Sequence, residues 1–190
     1  CYCLDNKLKF KVIGCGANLL FDDNGFDGAI IVNRCSRCFL ISNRILVESG
    51  LSIEELINIS ANKGLSGIEF FAGIPSTIVG ATVNNLGAWT HEISSCINSV
   101  YGFFAKSINK NKAFKSIKLN QIQCEFGYRF IKFKVEDFSN FIITKIKLTL
   151  EKSTKSTILN NIKTALYKKC STQPTDKPSA GSIFKRTDVI

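Results

Sequence analysis

The chain has 190 residues, 45% of them hydrophobic and 21% charged, a balance ordinary for a globular fold and a length sufficient for its own core. No stretch approaches the ~18 consecutive apolar residues of a membrane-spanning helix, so no membrane partner is expected. The net charge of +10 comes largely from scattered lysines, and the densest basic stretch, Lys106 to Lys118, lacks the arginines and interleaved aromatics of a nucleic-acid face, so no nucleic-acid partner is expected either.

Methionine is absent even at position 1, and the chain stops six residues after the segment SAGSIF; it reads as an internal fragment of a longer protein. Eight cysteines at irregular spacings do not make a disulfide framework. Cys35-Ser36-Arg37-Cys38 is a single CxxC, and the one histidine, His91, is far from it in sequence, so no metal centre is expected. Reduced thiols in a cytoplasmic protein are the simplest reading.

In chain order, Leu8, Phe10 and Val12 alternate with lysines as a strand does, and the run ends at the glycine loop Gly14-Cys15-Gly16-Ala17-Asn18. Asp22-Asp23-Asn24-Gly25 is a turn. Short strands are expected at Ala29 to Val32, Cys38 to Ser42 and Ile45 to Glu48. Ser52-Ile53-Glu54-Glu55 reads as a capping box opening a helix whose Ile53, Leu56, Ile57 and Ala61 share one face, with Gly64 closing it.

The stretch Gly64 to Trp89 carries five of the thirteen glycines. Within it, Gly73-Ile74-Pro75-Ser76-Thr77 forms a turn, and Ser76 or Thr77 caps the helix that follows. Free N–H groups at that helix start would suit a phosphate. Cys96 to Phe104 reads as a strand, and 106–118 as a basic connection or hairpin. Phe138 to Leu150 is a long strand with Ile142, Ile146, Leu148 and Leu150 on one face. Lys152 to Ser156 looks like a linker. A helix from about Thr157 then carries Ile158, Leu159, Ile162 and Leu166 on one side, with Lys168 and Lys169 near its C-terminus, where they suit the helix dipole. Strand runs separated by helices give an α+β class.

Four segments in this order resemble the UDP-N-acetylenolpyruvoylglucosamine reductase family of bacterial cell-wall synthesis: GCGANLL (14–20), GIPSTIVGATVNNLGA (73–88), CEFGYR (124–129) and PSAGSIFKR (178–186). The resemblance implies an α+β FAD-binding domain of the vanillyl-alcohol-oxidase type over 1–150 and the start of an α+β substrate-binding domain over 151–190. It implies that Gly14, Cys15, Gly16, Ala17, Asn18 and Leu19, together with Gly73, Ile74, Pro75, Ser76, Thr77, Gly80, Asn85 and Gly87, hold FAD.

By the same resemblance Arg129 and Ser182 are catalytic. NADPH reduces FAD, the flavin reduces the enolpyruvyl double bond of a UDP-sugar, Arg129 faces the charge that develops toward the carboxylate, and Ser182 returns a proton. Lys169, Lys185 and Arg186 fall where the family binds substrate. The family's catalytic glutamate lies beyond residue 190, and Val79 stands where glycine is usual. Another FAD oxidoreductase of the same fold, or a non-catalytic basic module, remains an alternative on sequence grounds, and the oligomeric state is not set.

Overall fold

The computed structural model describes residues 2–104, 116–134, 141–174 and 176–184. A short helix α1 (Tyr2–Asp5) leads into β1 (Phe10–Ile13), which pairs in parallel with β2 (Ala29–Val32). This two-stranded unit stands on the surface, with Val12, Ile30, Ile31 and Val32 all exposed.

The main body is a five-stranded antiparallel sheet. Its strands are β3 (Cys38–Ile41), β4 (Arg44–Glu48), β8 (Ile97–Phe104), β9 (Ser116–Asn120) and β12 (Phe141–Thr149), in the spatial order β3-β4-β12-β8-β9. The elements between β4 and β8 cover it: α2 (Ile53–Asn62), β5 (Leu65–Ser66), α3 (Ile78–Val83), β6 (Gly87–Ala88) and β7 (His91–Glu92). A separate hairpin pairs β10 (Cys124–Gly127) with β11 (Phe130–Phe133).

The helix expected after Ser52 forms. Ser52 Oγ accepts from the Glu55 amide at 3.1 Å, and Ile53, Leu56, Ile57 and Ala61 are all buried. Gly64 closes it at φ +65°. Alternation in β12 is interrupted, however. A bulge at Thr144, between the pairs Ile143↔Gly102 and Lys145↔Tyr101, moves the buried face by one residue. Ile143, Ile146, Leu148 and Leu150 are therefore the buried set, and Ile142 is only half-buried.

Two further expectations change. The strand β13 (Glu151–Lys152) takes in the first residue of the expected linker and pairs with β5. The last helix, α4 (Lys155–Thr172), starts at a Thr154 cap rather than at Thr157. Its inner face is Ile158, Ile162 and Ala165, whereas Leu159 and Leu166 are 42% and 39% exposed.

α4 packs on the turn at Glu69–Phe71 and on α2, and its Ala165 joins the same core as Phe71 and Leu150. Burying Ile158 alone contributes about 2 kcal/mol. A polar clamp adds to this: the buried Glu69 carboxylate accepts from Ser66 Oγ at 2.5 Å, from the Gly67 amide at 2.6 Å and from Asn161 Nδ2 of α4 at 3.0 Å. Burial by itself would raise the Glu69 pKa, but these donors outweigh it and hold the carboxyl below its usual value. The helix after residue 150 thus packs on the same core as the elements before it.

Among the described residues no helix is long and apolar enough to cross a membrane. Nor does any group of three or more His, Cys, Asp or Glu side chains gather to hold a metal ion.

Candidate active site

Two glycine loops meet beside the C-terminal end of β4. The first follows β1, and the second precedes α3. Gly14 sits against the Thr77 side chain so closely that a Cβ at position 14 would overlap Thr77 Oγ1. Three connected hydrogen bonds set this register. Ile13 O accepts from the Asn33 amide at 2.9 Å, Asn33 Nδ2 donates to Ser49 Oγ at 2.6 Å, and Ser49 O accepts from the Val79 amide at 3.2 Å. The bulge at Thr144 completes the path, because its carbonyl takes the Ser49 amide at 2.9 Å.

The N-terminus of α3 is not the free donor set that the sequence suggests. Ile78 N–H donates to Leu51 O, Val79 N–H to Ser49 O, and Gly80 N–H to the cap Thr77 Oγ1 at 3.3 Å. The open donors lie before the helix. Among the described residues, the amides of Gly14, Cys15, Gly16, Ala17 and Asn18 donate to no protein acceptor, and neither do those of Gly73, Ser76 and Thr77. Gly16 and Gly73 take φ +77° and +76°, conformations that glycine adopts without strain. Two facing loops with unpaired amides fit the diphosphate of a dinucleotide cofactor.

Val79 is half-buried and packs against the core. Leu19, Pro75 and Cys15 are exposed, Ile74 is half-buried, and Ser76 Oγ is turned back to the Thr77 carbonyl at 3.0 Å.

Arg129 stands in the two-residue loop of the β10–β11 hairpin at φ +62°, and Asn85 and Trp89 are also left-handed, at +38° and +59°. Among the described residues these are three of the five non-glycine residues with positive φ, and all are tied to the same short segment around Gly87. Such strain gathers where function constrains the backbone. Arg129 Nη2 donates to Gly87 O at 3.0 Å, and a Cβ on Gly87 would come within 3.0 Å of Nη1. Glycine at 87 therefore makes room for the guanidinium, which also lies 5.4 Å from the Tyr128 ring centroid.

The remaining expected residues divide. Lys169, from α4, bonds the Gly73 carbonyl, and Lys168 lies 5.5 Å from the centroid of Trp89, so α4 borders the second loop. Asn85 is completely buried, leaving no surface for a cofactor; its place is behind the turn, bonded to Glu92, Gly127 and Ser94. Ser182 is exposed in the segment after α4, and no hydrogen bond ties it to the Arg129 loop. Lys185 and Arg186 lie outside the described residues, as does most of the 106–118 stretch. The Asn33–Ser49 link, the Thr144 bulge and the Asn85–Gly127 bond escaped sequence reasoning, since each depends on residues distant along the chain.

A model of the FAD-binding domain family matches residues 1–103, more than half of the chain, and covers both loops. The chain belongs to the FAD-binding domain family. The α+β FAD-binding fold that the resemblance implied is the one found. Two similar curated proteins carry the name UDP-N-acetylenolpyruvoylglucosamine reductase. The one from Chlamydia pneumoniae is 36% identical over 180 residues, 94% of this chain and 55% of its own length. That from Clostridium kluyveri is 32% identical over 185 residues, 97% and 58% respectively. The crystal structure of UDP-N-acetylenolpyruvylglucosamine reductase from Thermus caldophilus superposes with a TM-score of 0.75 at 26% identity, over 94% of this chain and 62% of that one. This FAD-binding-domain chain thus spans a little over half the length of the curated relatives it matches.

Proposed function

We propose that the protein containing this FAD-binding-domain chain is an NADPH-dependent flavoenzyme. It would reduce UDP-N-acetylglucosamine enolpyruvate to UDP-N-acetylmuramate, a cytoplasmic step in making peptidoglycan precursors and hence in cell-wall growth and division. The observation that carries this reading is the placement of Arg129, held on a left-handed loop and braced on Gly87, within the glycine segment that the resemblance assigns to the cofactor. Similarity to reductases over more than nine-tenths of the chain supports the same assignment.

In this reading the open amides of 14–18 and of Gly73, Ser76 and Thr77 bind the diphosphate of FAD, and Lys169 orders the second loop through the Gly73 carbonyl. Bound FAD would supply the two-electron reduction that NADPH drives. Saturating the enolpyruvyl double bond also requires a proton on one carbon, and Ser182 is the donor on the SAGS segment. Negative charge develops toward the substrate carboxylate as the bond is reduced. The guanidinium of Arg129, with the donors left over from Gly87, pairs with that carboxylate in a fixed fork. Lys185 and Arg186 would meet the substrate diphosphate.

The test uses the full-length protein, in which reduced flavin should be oxidised by the enolpyruvyl UDP-sugar. Arg129→Ala should slow that half-reaction by about 10²–10³-fold while flavin content holds. Inertness of the wild-type reduced flavin toward this substrate would end the proposal.

A further inference from the structure

We propose that Asn85 and Glu92 are positioning residues for Arg129, acting through the β10–β11 hairpin and not through the cofactor. The inference rests on the reading of Arg129 given above. Asn85 is wholly buried at φ +38°, and its amide bonds in three directions. Nδ2 donates to Gly127 O at 3.1 Å and to Glu92 Oε2 at 3.0 Å, and Oδ1 accepts from the Ser94 amide at 3.3 Å. Gly127 is the last residue of β10, and Arg129 follows two residues later. Gly87, two residues after Asn85, accepts from Arg129. The loop is therefore pinned at two points, 127 to 85 and 129 to 87, by partners spaced alike on both chains.

Glu92 gives this clamp its polarity. A side-chain amide can be turned over, exchanging donor and acceptor. The Glu92 carboxylate accepts only, so it holds Nδ2 toward itself and toward the Gly127 carbonyl. The Ser94 amide fixes Oδ1 on the other side. Asparagine suits the position twice over, because it tolerates a left-handed backbone and carries both bond types.

The substitution Asn85→Asp keeps the shape and the backbone preference but removes both donated bonds. It also sets a second carboxylate against Glu92. In the full-length holoenzyme, flavin occupancy should stay within roughly two-fold of wild type, while oxidation of reduced flavin by the enolpyruvyl UDP-sugar slows by about 10–100-fold. On an Arg129→Ala background the same change should slow the reaction by less than about two-fold, the non-additivity of residues acting through one group. Glu92→Gln retains an acceptor and should cost no more than about three-fold.

Limited trypsin digestion reads the loop without any turnover. Appearance of the fragment ending at Arg129 should quicken by about ten-fold or more in Asn85→Asp as the local opening equilibrium shifts. Should that protein fail to fold, Asn85→Gly keeps the left-handed backbone without the amide and is read in the same ways. A folded variant that loses its flavin, an unchanged cleavage rate, or full additivity with Arg129→Ala would each overturn the proposal. If wild-type reduced flavin ignores the substrate, the reductase reading falls and the digestion still decides the clamp.

Discussion

A methyl group at position 14 would enter the space of Thr77 Oγ1, so the two glycine loops touch only because residue 14 has no side chain. Gly14→Ala should therefore release flavin from the full-length protein, and Thr77→Ala should restore part of it by clearing the contact. That second change removes the α3 cap and should cost about 1 kcal/mol in a denaturant titration. Val79 belongs to the same scale. Because its side chain packs against the core, Val79→Gly should destabilise by about 1–2 kcal/mol, from lost burial and helix propensity, without tightening flavin binding. Tighter binding on equilibrium titration would mean that the valine does obstruct the backbone. Most residues of the cradle were legible in the sequence because the physics there is local. Glycine, proline and a capping threonine announce a turn wherever they stand. Asn85 was not, since its burial and its three partners depend on segments up to 42 residues away.

At the scale of elements, the weight carried by α4 is the main departure from the sequence reading. The resemblance put this helix at the start of a second domain; one face fills the core and Asn161 reaches the Glu69 carboxylate. Glu69 gives this docking a pH dependence. Its carboxyl is held below the usual value, so the folded state binds that proton less tightly than the unfolded one. The stabilisation is fully present above the ordinary glutamate pKa of about 4.3 and is lost as pH falls through the lower folded value. Melting temperatures should drop across that acid range, and Glu69→Gln should flatten part of the drop while lowering stability at pH 7 by about 1–3 kcal/mol. The bulge at Thr144 teaches a similar lesson. Alternation along β12 gave the right strand and the wrong residue near its start, because a one-residue insertion reverses the faces and no local signal marks it.

Across the whole molecule, thiol chemistry separates surface from interior. Cys96 and Cys124 are buried, and desolvation raises both thiols, Cys124 to about 11, whereas Cys15, Cys35 and Cys170 are exposed. An alkylating reagent at pH 8 should label the exposed three quickly and the buried pair only on unfolding. Cys15 sits in the first glycine loop, so bound flavin in the full-length protein should protect it and leave Cys35 unaffected. Peptide mass mapping with and without flavin checks both expectations.

The α+β class, most of the strands, the face of α2 and the two glycine loops follow from the sequence alone, because propensity, periodicity and turn chemistry act over a few residues. Tertiary structure decided the rest. It closed the α3 amides against Leu51 and Ser49, leaving the open donors in the turns before it. It brought Arg129 to Gly87 across 42 residues and docked α4 on the common core. Each of these is a pairing between distant segments, set by which backbone groups and apolar faces remain unsatisfied once the sheet has formed, and such a choice exists only in the folded chain.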